Sequence, residues 1–284
     1  MQYILILLSI LFLTIQNISS KKYSLEFKNV KYSENFFVFI SALTAFVFFA
    51  ILYVFDFSFN IETLWYSLAF SLCFFCAIKF EYLSIKKGSL ALTSLFISFS
   101  LLIPTFYGVF FLNEKVSVEQ IIGIVILLGA LACINVYGDK IKFSPFWLLL
   151  VSIAFFGNGF CCVLQKVHQV SFPKLHITQF MFFGMFFVTI FAVINFLFAK
   201  PKNFDVRKGI KQPVVKGLFN AMTNVSVMML SSISNASFYN PFISAGGLLA
   251  TFICAIFMYK EKLSITQYVG YALSISSVVL LSIA

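Results

Sequence analysis

The chain has 284 residues, of which 61% are hydrophobic, only 11% are charged and 40 are phenylalanine. A soluble domain is close to half apolar and a quarter charged, and one of this size could not bury so much apolar surface. The composition therefore excludes an ordinary soluble protein. It predicts a single all-α membrane domain whose apolar side chains face lipid.

The net charge of +10 comes mostly from lysines in short segments between apolar runs. Nucleic-acid binding needs a solvated basic face with base-reading side chains, so we expect no nucleic-acid partner. Contact with anionic lipid headgroups is the better interpretation, which makes membrane lipid an expected partner. Arg207 is the only arginine, and this bias, with the phenylalanine content, is typical of an AT-rich bacterial genome.

Ten segments are long and apolar enough to cross the membrane, since a span needs about 20 apolar residues. In chain order they are residues 2–20, 35–55, 61–83, 88–112, 118–137, 145–165, 176–198, 213–233, 237–259 and 265–284. We expect the first to be a true span and not a cleavable signal peptide, because it has no basic start and residues 8–22 resemble residues 151–166.

A repeat is clearest at the end of the fourth and ninth spans. Residues 112–123 read LNEKVSVEQIIG and residues 259–270 read YKEKLSITQYVG, with five identical positions in twelve. We therefore expect two five-helix repeats, residues 1–140 and 141–284, within one membrane domain. Since five crossings is an odd number, the second repeat enters the membrane in the opposite sense, an arrangement found in many transporters.

These paired turns resemble the drug/metabolite transporter superfamily, and within it the EamA family. The pattern is Glu-Lys-x-Ser followed by Gln and Gly, present once in each repeat. Residues 88–94 and Pro104 resemble the family's fourth helix, and Asn158 and residues 165–166 resemble its repeat-opening helices. The resemblance implies ten helices around a central cavity, alternating access, and export or exchange of amino acids and related metabolites.

The Glu-Lys-x-Ser turns have a structural interpretation and a functional one. A serine before a helix, with glutamine three residues later, forms a capping box. We expect Glu114 and Glu261 to close the preceding helices, and Ser117 and Ser264 to cap the following ones. A gating role for the two glutamates is the alternative.

Polar side chains inside spans usually face a cavity or another helix. We expect a solute-binding lining built from the polar residues of the predicted pore helices; these are Gln16, Asn17, Thr93, Ser98, Asn158, Asn220, Asn224 and Asn240. Asn220 and Asn224 are four residues apart and should share one helix face. Interhelical hydrogen bonding is the alternative role for each.

Two lysines end corresponding helices, Lys22 in the first repeat and Lys166 in the second. Either could attract a carboxylate or phosphate group of a solute, or could extend to the membrane surface. Pro104 lies inside the fourth span and should kink it, which makes a hinge. His168 and His176 are expected at the surface.

The sequence contains no recognisable catalytic residues, because no Asp or Glu lies in the middle of a span and no catalytic motif occurs. Among the acidic residues, Glu81 is the one to consider, since it lies close to the third span. We expect no enzyme activity, no metal and no cofactor. The predicted function is a secondary transporter, exporter or exchanger, of a small polar metabolite such as an amino acid in the cell membrane. The alternative is a non-transporting accessory or sensor protein of the same fold. Whether two copies form a homodimer stays open.

The orientation of the termini has two conflicting predictions. The family resemblance implies cytoplasmic termini. The lysine count implies the opposite, since the side that holds the termini has only Lys115, Lys166 and Lys174 and the other side has the remaining basic residues.

Overall fold

The computed structural model describes residues 2–111, 118–119, 122–123, 125–126, 129, 144–201, 204–233, 236–260 and 265–283. Throughout these ranges the regular secondary structure is helical. The elements are α1 (Gln2–Glu26), α2 (Ser33–Phe55), α3 (Ile61–Lys87), α4 (Leu90–Ser98), a 3₁₀ turn (Phe99–Leu101), α5 (Leu102–Phe111), α6 (Pro145–Ser171), α7 (Ile177–Phe198), α8 (Val206–Gly209), α9 (Lys211–Ile233), α10 (Ala236–Tyr259) and α11 (Ile265–Ile283).

Five helices in the described part are long and apolar enough to span a membrane: α1, α2, α3, α6 and α7. At about 1.5 Å per residue, α1 is roughly 38 Å long, which exceeds the ~30 Å hydrocarbon core. The side chains that point outward along α7 are apolar and three or four residues apart: Phe186, Ile190, Ile194 and Leu197. Such a stripe faces lipid, so the chain is a multi-pass membrane protein.

Three helices continue at their C-terminal ends beyond the spans expected from hydropathy. α1 continues from residue 20 to Glu26, α3 from 83 to Lys87 and α6 from 165 to Ser171. In α1 the reason is aromatic packing: Tyr23 is fully buried against Phe37 and Tyr82, so the helix continues past its two lysines. A lysine lowers the hydropathy of a segment, but it does not end the helix.

The fourth span, expected as residues 88–112, is interrupted. α4 ends at Ser98, a 3₁₀ turn follows, and α5 begins at Leu102. Pro104 has no amide hydrogen to donate to the carbonyl of Ser100, and its ring crowds that carbonyl. The break therefore lies where proline chemistry predicts it. The expected fifth span, residues 118–137, lies mostly outside the described residues.

The helices pack in a defined set of neighbours. α1 lies against α9 and α10, and α3 lies against α6 and α7. α2 contacts α7 and α9, while α4 contacts α6 and α10. The approach of α3 and α6 is close at Gly157, where an added Cβ would stand 2.9 Å from the carbonyl oxygen of Cys73. Small residues at such crossings are typical of membrane helix interfaces.

Two ends of the bundle can be distinguished by their loops. At one, the lysine-rich end, α1 and α3 finish, α2 and α6 begin, and residues 199–210 join α7 to α9. At the other, the lysine-poor end, residues 56–60 lie beside residues 172–178. There Gln179 accepts a hydrogen bond from the Asn60 amide at 2.8 Å and donates one to the Asn60 carbonyl at 2.7 Å.

Candidate functional site

A cluster of polar side chains joins α1 to α9. The buried Gln16, which is 2% exposed, donates from Nε2 to Thr223 Oγ1 at 2.8 Å and to the Phe219 carbonyl at 3.3 Å. Asn220 Nδ2 donates to Gln16 Oε1 at 3.1 Å. We call Gln16, Asn220, Thr223 and Asn224 the amide cluster.

The prediction that Asn220 and Asn224 share one helix face is confirmed. Asn224 Nδ2 donates to the Asn220 carbonyl at 2.9 Å and to Asn220 Oδ1 at 3.3 Å. Counting ~1.5 Å per residue, Gln16 lies about 15 Å from the end of α1 and Asn220 about 14 Å from the start of α9. The cluster therefore lies inside the bundle, away from the ends of both helices. Polar groups there carry a high cost and commonly line solute pathways.

Asn17 extends the polar contacts of α1 to α10. Its Nδ2 donates to Thr251 Oγ1 at 3.1 Å, and both side chains are buried. About two turns further along α10, Tyr259 donates its hydroxyl to the Ile18 carbonyl at 3.1 Å. Adjacent residues of α1 thus bond to two different helices, Gln16 to α9 and Asn17 to α10.

Asn158 contacts the interrupted span. Its Nδ2 donates to Ser100 Oγ at 2.6 Å, inside the 3₁₀ turn. One residue further along α6, an added Cβ at Gly159 would clash with Ile103, so α6 packs closely against the first turn of α5. Asn158 therefore fixes the position of the break that Pro104 creates.

Two of the expected lining residues bond within their own helix. Thr93 is fully buried and donates to the Ser89 carbonyl at 2.8 Å, and Ser98 donates to the Ser94 carbonyl at 2.8 Å. Their hydroxyls are satisfied without reaching the amide cluster. The structure thus brings Gln16, Asn220 and Asn224 together and places Thr93 and Ser98 apart from them.

Lys22 and Lys166, the two lysines that end corresponding helices, differ in their exposure. Lys22 is exposed at the lysine-rich end, whereas its neighbour Lys21 is 8% exposed, with Nζ 3.4 Å from the Gly88 carbonyl. Lys166 is half-buried near the lysine-poor end of α6. Consecutive helical residues point about 100° apart, which is why one lysine faces the bundle and the next faces outward.

Several expected residues fall beyond what the structure describes. Asn240 lies in the first turns of α10, but its side chain is outside the described part. The two Glu-Lys-x-Ser turns, with Glu114, Ser117, Glu261 and Ser264, also lie outside the described residues.

The position of His168 after the sixth apolar run predicted that it lies at the surface, and this prediction is wrong. It is fully buried, because α6 continues to Ser171, and its Nε2 lies 3.2 Å from Thr63 Oγ1. Its ring packs against Phe180 at 4.7 Å between centroids. Among the described residues no group of three His, Cys, Asp or Glu side chains could hold a metal ion.

An ion pair between α3 and α9 lies within the bundle. Lys216 of α9 and Glu81 of α3 are 3.3 Å apart, with side chains only 8% and 19% exposed. Both are about one and a half turns from the lysine-rich ends of their helices. Glu81, which hydropathy placed near the end of the third span, is therefore inside α3 and neutralised there by a helix far along the chain.

Three partners in these contacts were not expected from the sequence. Thr223, Thr251 and Ser100 accept the hydrogen bonds of Gln16, Asn17 and Asn158. The sequence offered a sign for two of them. Thr223 lies between Asn220 and Asn224, and Ser100 stands four residues before Pro104, where a helix must lose a hydrogen bond. Thr251 stands alone in an apolar run, with no such sign.

Comparison with known proteins agrees with this architecture. The profile of the EamA-like transporter family matches residues 1–136. In all, 27 chains of solved structures match, and one of them, described only as the crystal structure of a protein, superposes with a TM-score of 0.63 at 10% identity. The match covers 99% of this chain and 96% of that one, so the likeness is one of fold. No curated protein matches. Residues 1–136 are thus similar to the EamA-like transporter family, which confirms the resemblance drawn from the motifs.

Proposed function

We propose that the protein is a secondary transporter, an exporter or exchanger, that moves a small polar metabolite such as an amino acid across the cell membrane of a bacterium. The observation that carries this proposal is the amide cluster between α1 and α9, inside the bundle. Its groups can both donate and accept hydrogen bonds, which suits the ammonium and carboxylate of an amino acid. Asn220, Thr223 and Asn224 are half-exposed, so a solute could exchange with their bonds.

Alternating access further requires two equivalent halves, residues 1–140 and 141–284, in opposite orientation. The helix neighbours support this. Suppose that α1, α2, α3 and α4 of the first half correspond to α6, α7, α9 and α10 of the second. Exchanging each helix for its counterpart then turns the packed pair α1–α9 into α6–α3, and the pair α2–α9 into α7–α3. The same exchange turns the pair α1–α10 into α6–α4. Every pair obtained is itself a packed pair, as a twofold axis within the membrane requires.

In the mechanism that we infer, the two halves rock about the solute. α1 has polar partners on both α9 and α10, so a tilt of α1 changes both sets of bonds. The interrupted span gives the first half a flexible point, held by Asn158 at Ser100. The aromatic cluster of Tyr23, Phe37 and Tyr82 would close the lysine-rich end in the conformation described.

The test is uptake by the purified full chain in liposomes, with a panel of labelled amino acids and related metabolites. Wild type should transport at least one, and Gln16→Leu and Asn224→Leu should abolish that uptake. Thr223→Val removes the acceptor of Gln16 and also the hydroxyl's bond to the Phe219 carbonyl within α9. It should lower uptake about 3- to 20-fold, the range of one interhelical hydrogen bond.

Thr44→Val is the matched control. It makes the same isosteric change on α2, where the Thr44 hydroxyl donates only to the Ile40 carbonyl of its own helix at 2.8 Å. Uptake should remain at the wild-type level. If no solute crosses with the wild-type protein, or if Gln16→Leu transports normally, the proposal fails and the accessory or sensor role takes its place.

A further inference from the structure

A separate pocket opens at the lysine-rich end, away from the amide cluster. Its volume is about 690 Å³, within the range of small-molecule sites. The loop between α1 and α2, the last turn of α3 and the first turn of α6 form its walls. Because these helices begin or end here, the pocket lies at the depth of the lipid headgroups.

The pocket carries a strong positive charge. Among the described residues, four lysines line it, Lys28, Lys31, Lys86 and Lys87, against one carboxylate, Glu34. Lys86 and Glu34 form an ion pair at 3.2 Å with side chains 11% and 14% exposed, so these two charges cancel. Lys28, Lys31 and Lys87 are exposed, which leaves three positive charges facing the pocket.

The walls are held in place rather than loosely assembled. Besides the ion pair, Lys86 Nζ donates to the Val30 carbonyl at 3.0 Å and to Ser33 Oγ at 2.8 Å, which ties the α1–α2 loop to α3. On the opposite wall, Trp147 is buried and its Nε1 donates to the Ser84 carbonyl at 3.0 Å. This bond ties α6 to the same turn of α3.

Aromatic groups set the depth of the pocket. Lys87 Nζ lies 4.8 Å from the centre of the Phe146 ring, a cation–π contact that holds the ammonium near the rim. Trp147 stands beside it, and tryptophan is typical of the membrane–water interface. An ammonium group held at this level lies where lipid phosphates are.

We propose that this pocket binds a phosphate-bearing anion, with the headgroup of an anionic phospholipid as its occupant. Lysine ammonium groups bind phosphate oxygens as point charges from several directions, so three around one concavity fit a phosphate. The volume exceeds that of a phosphate alone and leaves room for a glycerol headgroup. A soluble phosphate would use the same chemistry, and the experiment separates the two sources.

The probe is dihexanoyl phosphatidylglycerol, a soluble short-chain lipid, added to the full chain in neutral detergent at fixed ionic strength. Inorganic phosphate is the second probe. Melting followed by tryptophan fluorescence, together with lipid retention in native mass spectrometry, reports binding. Stabilisation by the lipid but not by phosphate identifies a headgroup site, and stabilisation by both identifies a phosphate site open to soluble anions.

The pocket variant is Lys28→Gln, Lys31→Gln and Lys87→Gln together. Near a membrane each lysine contributes about fivefold to the binding of an anion, so we expect affinity to fall about a hundredfold. The matched control is Lys200→Gln, Lys208→Gln and Lys211→Gln, which removes the same charge from exposed positions at the same end. The control should bind as wild type does.

Two results overturn the proposal. Neither probe stabilises the wild-type protein, or the control triple variant loses as much affinity as the pocket variant. If the pocket triple variant folds poorly in the absence of any probe, the single variant Lys87→Gln is measured in its place. Its affinity for the lipid should be about fivefold lower than that of wild type. None of these outcomes depends on transport, so the proposed function stands or fails separately.

Discussion

Gly157 decides how closely α3 and α6 can approach. A Cβ added there would stand 2.9 Å from the Cys73 carbonyl oxygen and 3.0 Å from the Ala77 amide nitrogen, both backbone atoms that cannot turn aside. We expect Gly157→Leu to separate the helices and lower the unfolding free energy by about 1–3 kcal/mol, the usual effect of overpacking. Thermal melting in detergent measures this loss.

Gly129→Leu is the control for that substitution. Gly129 is exposed and an added Cβ meets nothing within 4 Å, so its melting temperature should stay close to that of wild type. Equal losses in the two variants would show that the lower stability comes from losing a glycine anywhere, and not from the crossing of α3 and α6.

At the scale of single residues, the sequence predicted which residue types lie inside better than it predicted which way each side chain points. Gln16, Asn220 and Asn224 do meet, as expected of amides in pore helices. Lys22, for which both solute attraction and extension to the membrane surface were open, is exposed, whereas its neighbour Lys21 faces inward. In an amphipathic helix the polar stripe shows which residues face inward. In spans that are apolar all round that periodicity is faint, so an error of one residue, or 100°, is easily made.

Helices α4 and α5 divide the expected fourth span, with a break between them. Pro104→Ala restores an amide that can bond to the Ser100 carbonyl, and the crossing should straighten. If the break is a hinge, we expect slower uptake in liposomes while ligand-induced stabilisation is unchanged, because the change affects motion and leaves the amide cluster intact.

Pro145→Ala serves as the control, since Pro145 is the first residue of α6, where an amide has no helical partner. Its uptake should match wild type. Normal uptake by Pro104→Ala would instead mean that the break is a static feature of packing.

Helix boundaries were predictable to within a few residues wherever a capping residue or a proline marked the start or the end of the helix. Asn60 caps α3, accepting from the Glu62 and Thr63 amides, and the expected start at residue 61 is confirmed. Pro104 gave the break. The extension of α6 to Ser171 could not be predicted, because it depends on the packing of His168 between Thr63 and Phe180, residues that meet only in the folded chain.

Across the whole molecule, the Glu81–Lys216 pair links α3 to α9, one from each expected half. Removing one partner leaves a charge inside the bundle, so Glu81→Gln and Lys216→Met should each destabilise the protein by roughly 1–3 kcal/mol. The double variant should recover most of that loss, as chemical denaturation of the four proteins would show. Additive losses would mean that the two side chains act independently.

Orientation is the second property of the whole molecule that can be tested. The charge distribution predicts that residues 199–210 face the cytoplasm. A cysteine placed at Lys208, which is exposed, should react with a membrane-impermeant maleimide in inverted vesicles and not in intact cells. The reverse pattern would instead match the cytoplasmic termini implied by the family resemblance.

The amides of α1 have a consequence for how the chain is made. Gln16 bonds to Thr223 and Asn17 to Thr251, partners 207 and 234 residues later in the chain. At about 5–20 residues per second, a ribosome needs roughly 10–50 s to reach them. During that interval α1 carries two unsatisfied amides and a lysine into the bilayer, so its stable insertion has to await helices synthesised much later.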